Sequence, residues 1–297
     1  MSAVTLPSDP IVHANVRRLT TPDKDGMHGC AKITFETGPN GTCLKDLYQA
    51  SPLRVLFPNK PKDDIYLAAF VTTSGGLVGG DHLNVDVTIG KGAAVQMIGQ
   101  AAEKVYRSKG PDTVFEINLS VDEDAYLEWL PQETIIFDQA RLRRRTTVNV
   151  TPGGTFLGAE ILVFGRTAMG ETLNQGLVRD VWEVSCAGKL TWSDALHLSG
   201  DIKAQLNHPA GFDGACATAS SVLVSDDVEK YLDFVRDIFD TFSQDVKCAA
   251  TITNGVLVTR WLAADAQLLR QAFAEYWANM RHELKGLPRA LPRLWHM

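Results

Sequence analysis

The sequence predicts a mainly β protein: a β-helix-like stack of strand-turn-strand units, followed by a C-terminal α/β subregion containing two helices. Three observations predict it. Period-two alternation of apolar and polar residues recurs between Asp81 and Leu198, four such segments repeat at a loose interval, and the spacing turns helical from Ser225 onward.

The earliest of the elements is YLAAFVTTSGGLVGGDHL (Tyr66 to Leu83), where an apolar strand pattern runs into Gly75-Gly76 and Gly79-Gly80 and ends on Asp81 and His82. Glycine admits φ > 0 or close backbone approach, and an acid beside an imidazole is capable of binding metal. A phosphate cradle fits poorly, because no GxxxxGK[ST] or GxGxxG is present and Asp81 would repel the phosphate. The plain reading is a tight strand connection.

Next come VDVTIGKGAAVQMI, EINLSVDEDAYLEWL, TVNVTPGGTFLGAEILVF and WEVSCAGKLTW, each read as strand, turn, strand. Aligning Val87, Leu119, Val148 and Val184 gives intervals of 32, 29 and 36 residues. A plain β-sandwich fits the alternation equally well.

At Ser225 a helix N-cap is expected, with Asp226, Asp227 and Glu229 in the first turn and an apolar face of Val228, Tyr231, Leu232, Val235, Ile238, Phe239 and Phe242. Asn254-Gly255 between two β-rich triplets predicts a two-residue hairpin turn. A second helix begins near Asp265, turns Leu269, Phe273, Trp277, Met280 and Leu284 inward, carries Arg281 and Lys285 in its last turn and stops at Gly286. No linker interrupts the chain. Residues 1–297 are therefore expected to form one structural unit, with a β-rich body over about 51–224 and an α-containing subregion over about 225–297.

Composition narrows function. A 297-residue chain that is 45% hydrophobic supports a packed core, and a net charge of −6 argues against nucleic acid or an anionic membrane as main partner. Five scattered cysteines without a CxxC motif read as reduced thiols, and the N-terminal MSAVTLPSDPIVHANVRR lacks the apolar core of a secretory signal. A cytoplasmic protein is expected. No GxSxG or HExxH occurs, and the seven histidines (His13, His28, His82, His197, His208, His282 and His296) are too dispersed for a local ligand motif.

The acids are more informative, because a charge among strand residues is costly unless paired or hydrated. Asp81, Glu103, Glu160, Glu171 and Asp194 all interrupt apolar or β-patterned runs. Glu160, inside FLGAEILVF, either pairs with an arginine such as Arg166 or lines a wet interior path; an internal salt bridge is the plain alternative for all five. In the basic run RLRRR, Arg141, Arg143 and Arg145 share one strand face, either a solvated edge or a docking surface for an acidic partner. The six tryptophans read as core, with Trp295 also able to anchor the tail.

Five motifs in order, SPLRVLFP (Ser51 to Pro58), KVYRS (Lys104 to Ser108), EWLPQETIIF (Glu128 to Phe137), FGRTAMGETL (Phe164 to Leu173) and PRLW (Pro292 to Trp295), resemble the urease accessory protein UreD family, called UreH in some systems. The resemblance runs from about Ser51 to the C-terminus and favours the β-helix-like topology. It implies a non-enzymatic scaffold that works with UreF, and through it UreG, to deliver nickel to apo-urease, and it allows a dimer within that complex. GTP hydrolysis would belong to UreG, since no P-loop is present here.

The resemblance also implies that Ni²⁺ crosses an interior tunnel lined by Asp81, Glu103, Glu160, Glu171 and Asp194, with no cofactor held tightly. Glu103 departs from the small polar residue usual before the KVYRS-type motif. Spaced carboxylates with water hold Ni²⁺ loosely, as conduction demands. Two other readings remain open at this point: a small-molecule-binding or enzymatic β-protein with its pocket at the glycine-rich turn, and a scaffold with no metal path.

Overall fold

The computed structural model describes residues 26–296. The N-terminal signal reading and His13 lie outside the described residues. In chain order the elements are β1 (His28–Gly38), β2 (Gly41–Ala50), β3 (Leu53–Leu56), β4 (Tyr66–Thr72), β5 (His82–Ile89), β6 (Ala94–Gly99), β7 (Glu103–Val105), β8 (Thr113–Val121), β9 (Tyr126–Leu130) and β10 (Thr134–Ile136). There follow β11 (Arg141–Val150), β12 (Thr155–Phe164), β13 (Gln175–Cys186), β14 (Lys189–Asp201), α1 (Ile202–Asn207), β15 (Ala217–Val224), α2 (Tyr231–Phe239), β16 (Val246–Thr253), β17 (Val256–Ala263) and α3 (Ala266–Lys285).

Two sheets face each other. In the first, β1, β5, β8, β11 and β13 run parallel, with β2 and β14 antiparallel at its edges. In the second, β4, β6, β9 and β12 run parallel, β3 closes one side, and β15, β17 and β16 extend the other as antiparallel strands. From β4 to β13 the chain passes repeatedly from one sheet to the other, so successive coils stack as in a solenoid.

The expected repeat is realised in the register itself: Val87 pairs laterally with Leu119, Leu119 with Val148 and Val148 with Val184. All four side chains are buried in the core between the sheets. Three of the four expected strand-turn-strand units divide between the two sheets, whereas the fourth, β13 and β14, is a hairpin within one sheet. The β body also begins earlier than expected. Ala31, Ile33 and Phe35 of β1 alternate inward, and β1 and β2 form a hairpin ahead of Ser51.

A second apolar cluster joins the outer face of the second sheet to the C-terminal helices, with Leu157, Ala159 and Trp261 against Phe273, Tyr276 and Trp277. Because β12 is covered on both sides, all of its residues are buried. Asp265 caps α3 by accepting from the amides of Gln267 and Leu268, and Gly286 ends it in the left-handed region. Asn254 and Gly255 adopt φ of 50° and 76° in the expected hairpin turn.

Two expectations in this part are corrected. Ser225 does not cap a long helix: a 3₁₀ turn at Val228–Lys230 precedes a shorter α2, and neither start carries a side-chain cap. Arg281, expected in the last turn of α3, lies just before it and is fully buried, four residues after Trp277 and on the same face.

A candidate acidic track between the sheets

The glycine-rich turn between β4 and β5 packs against KVYRS. Leu77 donates to the Lys104 carbonyl at 2.7 Å and accepts from the Tyr106 amide at 2.8 Å. Two glycines are required sterically. A Cβ on Gly76, which has φ 141°, would lie 2.4 Å from the Tyr106 ring, and one on Gly79 would lie 2.1 Å from Ser108 Oγ. Gly75 and Gly80 also adopt positive φ.

Asp81 closes this turn from inside. It is 1% exposed, and its carboxylate accepts from the amides of Met27 at 2.9 Å and Val78 at 2.8 Å. His82 points elsewhere, its Nε2 being 3.3 Å from Glu116. The pair therefore does not converge on a common ligand.

The interior acids come from neighbouring strands. Alternation along β11 carries Arg144 inward with Leu142, Thr146 and Val148, while Arg141 and Arg143 pair with Asp112 on the opposite face and Arg145 pairs with Glu183. The solvated-edge reading of this arginine run is thus corrected: β11 lies between β8 and β13, its outer charges matched by acids of neighbouring segments. Asp180 is the register partner of Arg144 on β13. Arg144 donates to it from Nε at 3.1 Å and from Nη2 at 3.0 Å, and its Nη1 donates to Thr134 Oγ1 at 3.0 Å. Glu160, from β12 of the other sheet, also contacts Nη2. Its partner is therefore Arg144 and not Arg166, which pairs with Glu171 at 2.6 Å on an exposed loop.

Burial pushes the Glu160 carboxyl well above its usual range, and the neighbouring Asp180 charge adds to this against the pull of Arg144. For Asp180 burial acts in the same upward direction, but the Arg144 charge and a hydrogen bond from Glu160 outweigh it and hold the group below its usual range. Within the pair, burial thus favours the neutral form of Glu160, while the Arg144 charge favours the ionised form of Asp180.

Two cavities meet at Glu160. One of about 240 Å³ is also lined by Asp180, Trp182, Asp194, Ser220 and Arg260, with Asp194 paired to Arg260 at 2.8 Å. The other, of about 210 Å³, is also lined by Arg144, Glu103, Gln132, Thr134 and the glycines 75 and 76. Glu103 accepts from Thr72 Oγ1 at 2.5 Å, and its carboxyl is raised, chiefly by burial. Asp194 thus lines the first cavity, Glu103 the second and Glu160 both, while Asp81 and Glu171 line neither. Arg144 and Asp180 were not among the expected site residues, although strand parity with Leu142 and with Val178 places both inward. Among the described residues, no group of three or more His, Cys, Asp or Glu side chains is assembled to hold a metal.

The sequence matches the UreD urease accessory protein family over residues 27–296. The chain belongs to the UreD family. Its relatives named urease accessory protein UreD include that of Magnetococcus marinus, 42% identical over 91% of this chain and 94% of the relative. Those of Rhodopseudomonas palustris strain BisB5 and Bradyrhizobium diazoefficiens are each 39% identical over 84% of this chain, covering 84% and 86% of their own lengths. The UreD match begins at β1, which extends the resemblance upstream of Ser51. As a UreD accessory protein the chain is a scaffold and not an enzyme. No helix among the described residues is long and apolar enough to cross a membrane.

Proposed function

We propose that this chain acts in the cytoplasm as a urease-maturation scaffold that binds UreF, UreG through UreF, and apo-urease, and passes Ni²⁺ along its interior acids. The observation that carries this reading is Glu160, which lines both cavities, with Asp180 and Asp194 on one side and Glu103 on the other. Oxygen ligands spaced along a polar path bind a late divalent ion weakly enough to release it, unlike a cluster of imidazoles and thiolates. Ni²⁺ is cargo here. Asp81 serves the path indirectly by fixing the turn that bears Gly75 and Gly76.

The test is the nickel content of urease matured in cells carrying Glu160→Gln, Asp194→Asn or Glu103→Gln, with co-purification of UreF and UreG measured beside it. Reduced nickel with intact co-purification is the expected outcome. Normal nickel in all three variants would remove the acids from the transport role.

A further inference from the structure

Arg260 lines the first cavity and Lys104 the second, but among the described residues it is Arg144 that contacts both Asp180 and Glu160. Its guanidinium contacts Asp180 and Glu160 together and so fills the seat between these oxygens. A divalent ion drawn to the Asp180 and Glu160 oxygens would meet this positive charge. Two like charges at contact distance in a buried site repel each other strongly. Both cannot occupy the seat at once.

The same side chain has somewhere to go. Arg144 also lines the cavity of about 210 Å³, whose walls carry Glu103 and Gln132. Gln132 is 5% exposed, and its Oε1 has no hydrogen-bond partner although its Nε2 donates to the Leu294 carbonyl. An open acceptor and a carboxyl group on the lining of this same cavity give the guanidinium a second set of possible partners.

We propose that Arg144 is a valve on the acidic track: on Asp180 and Glu160 it closes the passage between the cavities, and swung toward Glu103 and Gln132 it opens the carboxylate seat to a divalent cation. This rests on the conduit reading and adds its regulation. In the closed position the isolated chain leaves the seat unavailable to Ni²⁺, and binding there requires displacement of the arginine.

Calorimetry of the full chain with Ni²⁺ alone tests the valve. Arg144→Met and Arg144→Gln, the latter keeping a neutral donor for Asp180, should each bind Ni²⁺ at least tenfold more tightly than the unsubstituted protein, and adding Asp180→Asn should abolish the gain. Equal affinity in either folded variant overturns the proposal. Crystals of the unsubstituted protein soaked in Ni²⁺ give a readout that does not depend on how the variants fold. Ni²⁺ between Asp180 and Glu160 with Arg144 turned away supports the valve, whereas Ni²⁺ there with Arg144 still on both carboxylates refutes it. Nickel loading of urease separates the two levels. If Glu160→Gln lowers loading while Arg144→Met changes neither affinity nor loading, the conduit stands without a valve; if Glu160→Gln, Asp194→Asn and Glu103→Gln all leave loading normal, both fall.

Discussion

Two buried clusters in this molecule use the same three residue types and do different things with them. Arg281 of α3 sits with Asp64 and Glu128 between the helix and the second sheet, and Arg144 sits with Asp180 and Glu160 between the sheets. In the first cluster every side is occupied. Glu128 accepts from Gln96, Tyr126, Trp277 and Arg281, while Arg281 also donates to Asp64 and to the carbonyls of Pro288 and Ala290. The second cluster borders two cavities, and burial pushes its glutamate carboxyl well above the usual range. Saturation makes an ionic cluster a fastener, whereas adjoining space leaves its members able to exchange partners.

Removing each arginine is the sharpest way to break this comparison. Arg281→Met leaves two carboxylates without their counter-ion in a closed site and should lower stability by about 3–5 kcal/mol, read as a shift in the urea midpoint. Arg144→Met should cost less, roughly 1–3 kcal/mol, because water from the adjoining cavities can reach the acids it leaves behind. Equal losses would mean that the space beside Glu160 does not relieve its cluster.

A pH series sharpens the comparison further. A carboxyl whose folded pKa is raised binds its proton more tightly in the native state, so stability falls as pH climbs from the ordinary value of 4.5 toward the raised one. Glu160→Gln mimics the protonated form. Its stability relative to the unsubstituted protein should therefore increase from pH 5 to pH 8, in urea titrations run at both. A difference that stays constant with pH would show that Glu160 ionises normally. The smallest effect belongs to the surface pair: Arg166→Ala should leave the urea midpoint unchanged, since its bridge to Glu171 is solvent-screened.

Much of this was legible in the sequence. Because side chains alternate strictly along a strand, lining up Val87, Leu119, Val148 and Val184 recovered the lateral register of the parallel strands before any pairing was known. Alternation reports a face, however, and not a partner, so it could not reveal that the strands of one unit enter different sheets. The hairpin of β1 and β2 had a usable signal in Ala31, Ile33 and Phe35 set against Lys32, Thr34 and Glu36, closed by Asn40-Gly41.

The site was harder to see. A run of arginines reads as a wet face, which is right for Arg141, Arg143 and Arg145, but Arg144 shares the parity of Leu142 and Val148. Arg281 was obscured in the same way, since a basic residue in a helix's last turn has a sufficient local reason to be there. In both cases periodicity located the side chain correctly while residue type suggested otherwise. The acids Glu103, Glu160 and Asp194 stood out because each interrupts a β pattern, but their convergence depends on coils about thirty residues apart.

The parallel ladder has a direction and, taken alone, no natural end. A coil laid on a coil in register could continue into a second copy of the chain, head to tail, without closing. Here each sheet ends its parallel run on a reversed strand at both sides, β2 and β14 in one and β3 and β15 in the other. An arriving copy would have to match reversed polarity in two sheets at once. The reversed strands at the margins of the stack therefore act as terminators of self-assembly, and the extent of the parallel stack is set by where the chain turns back on itself.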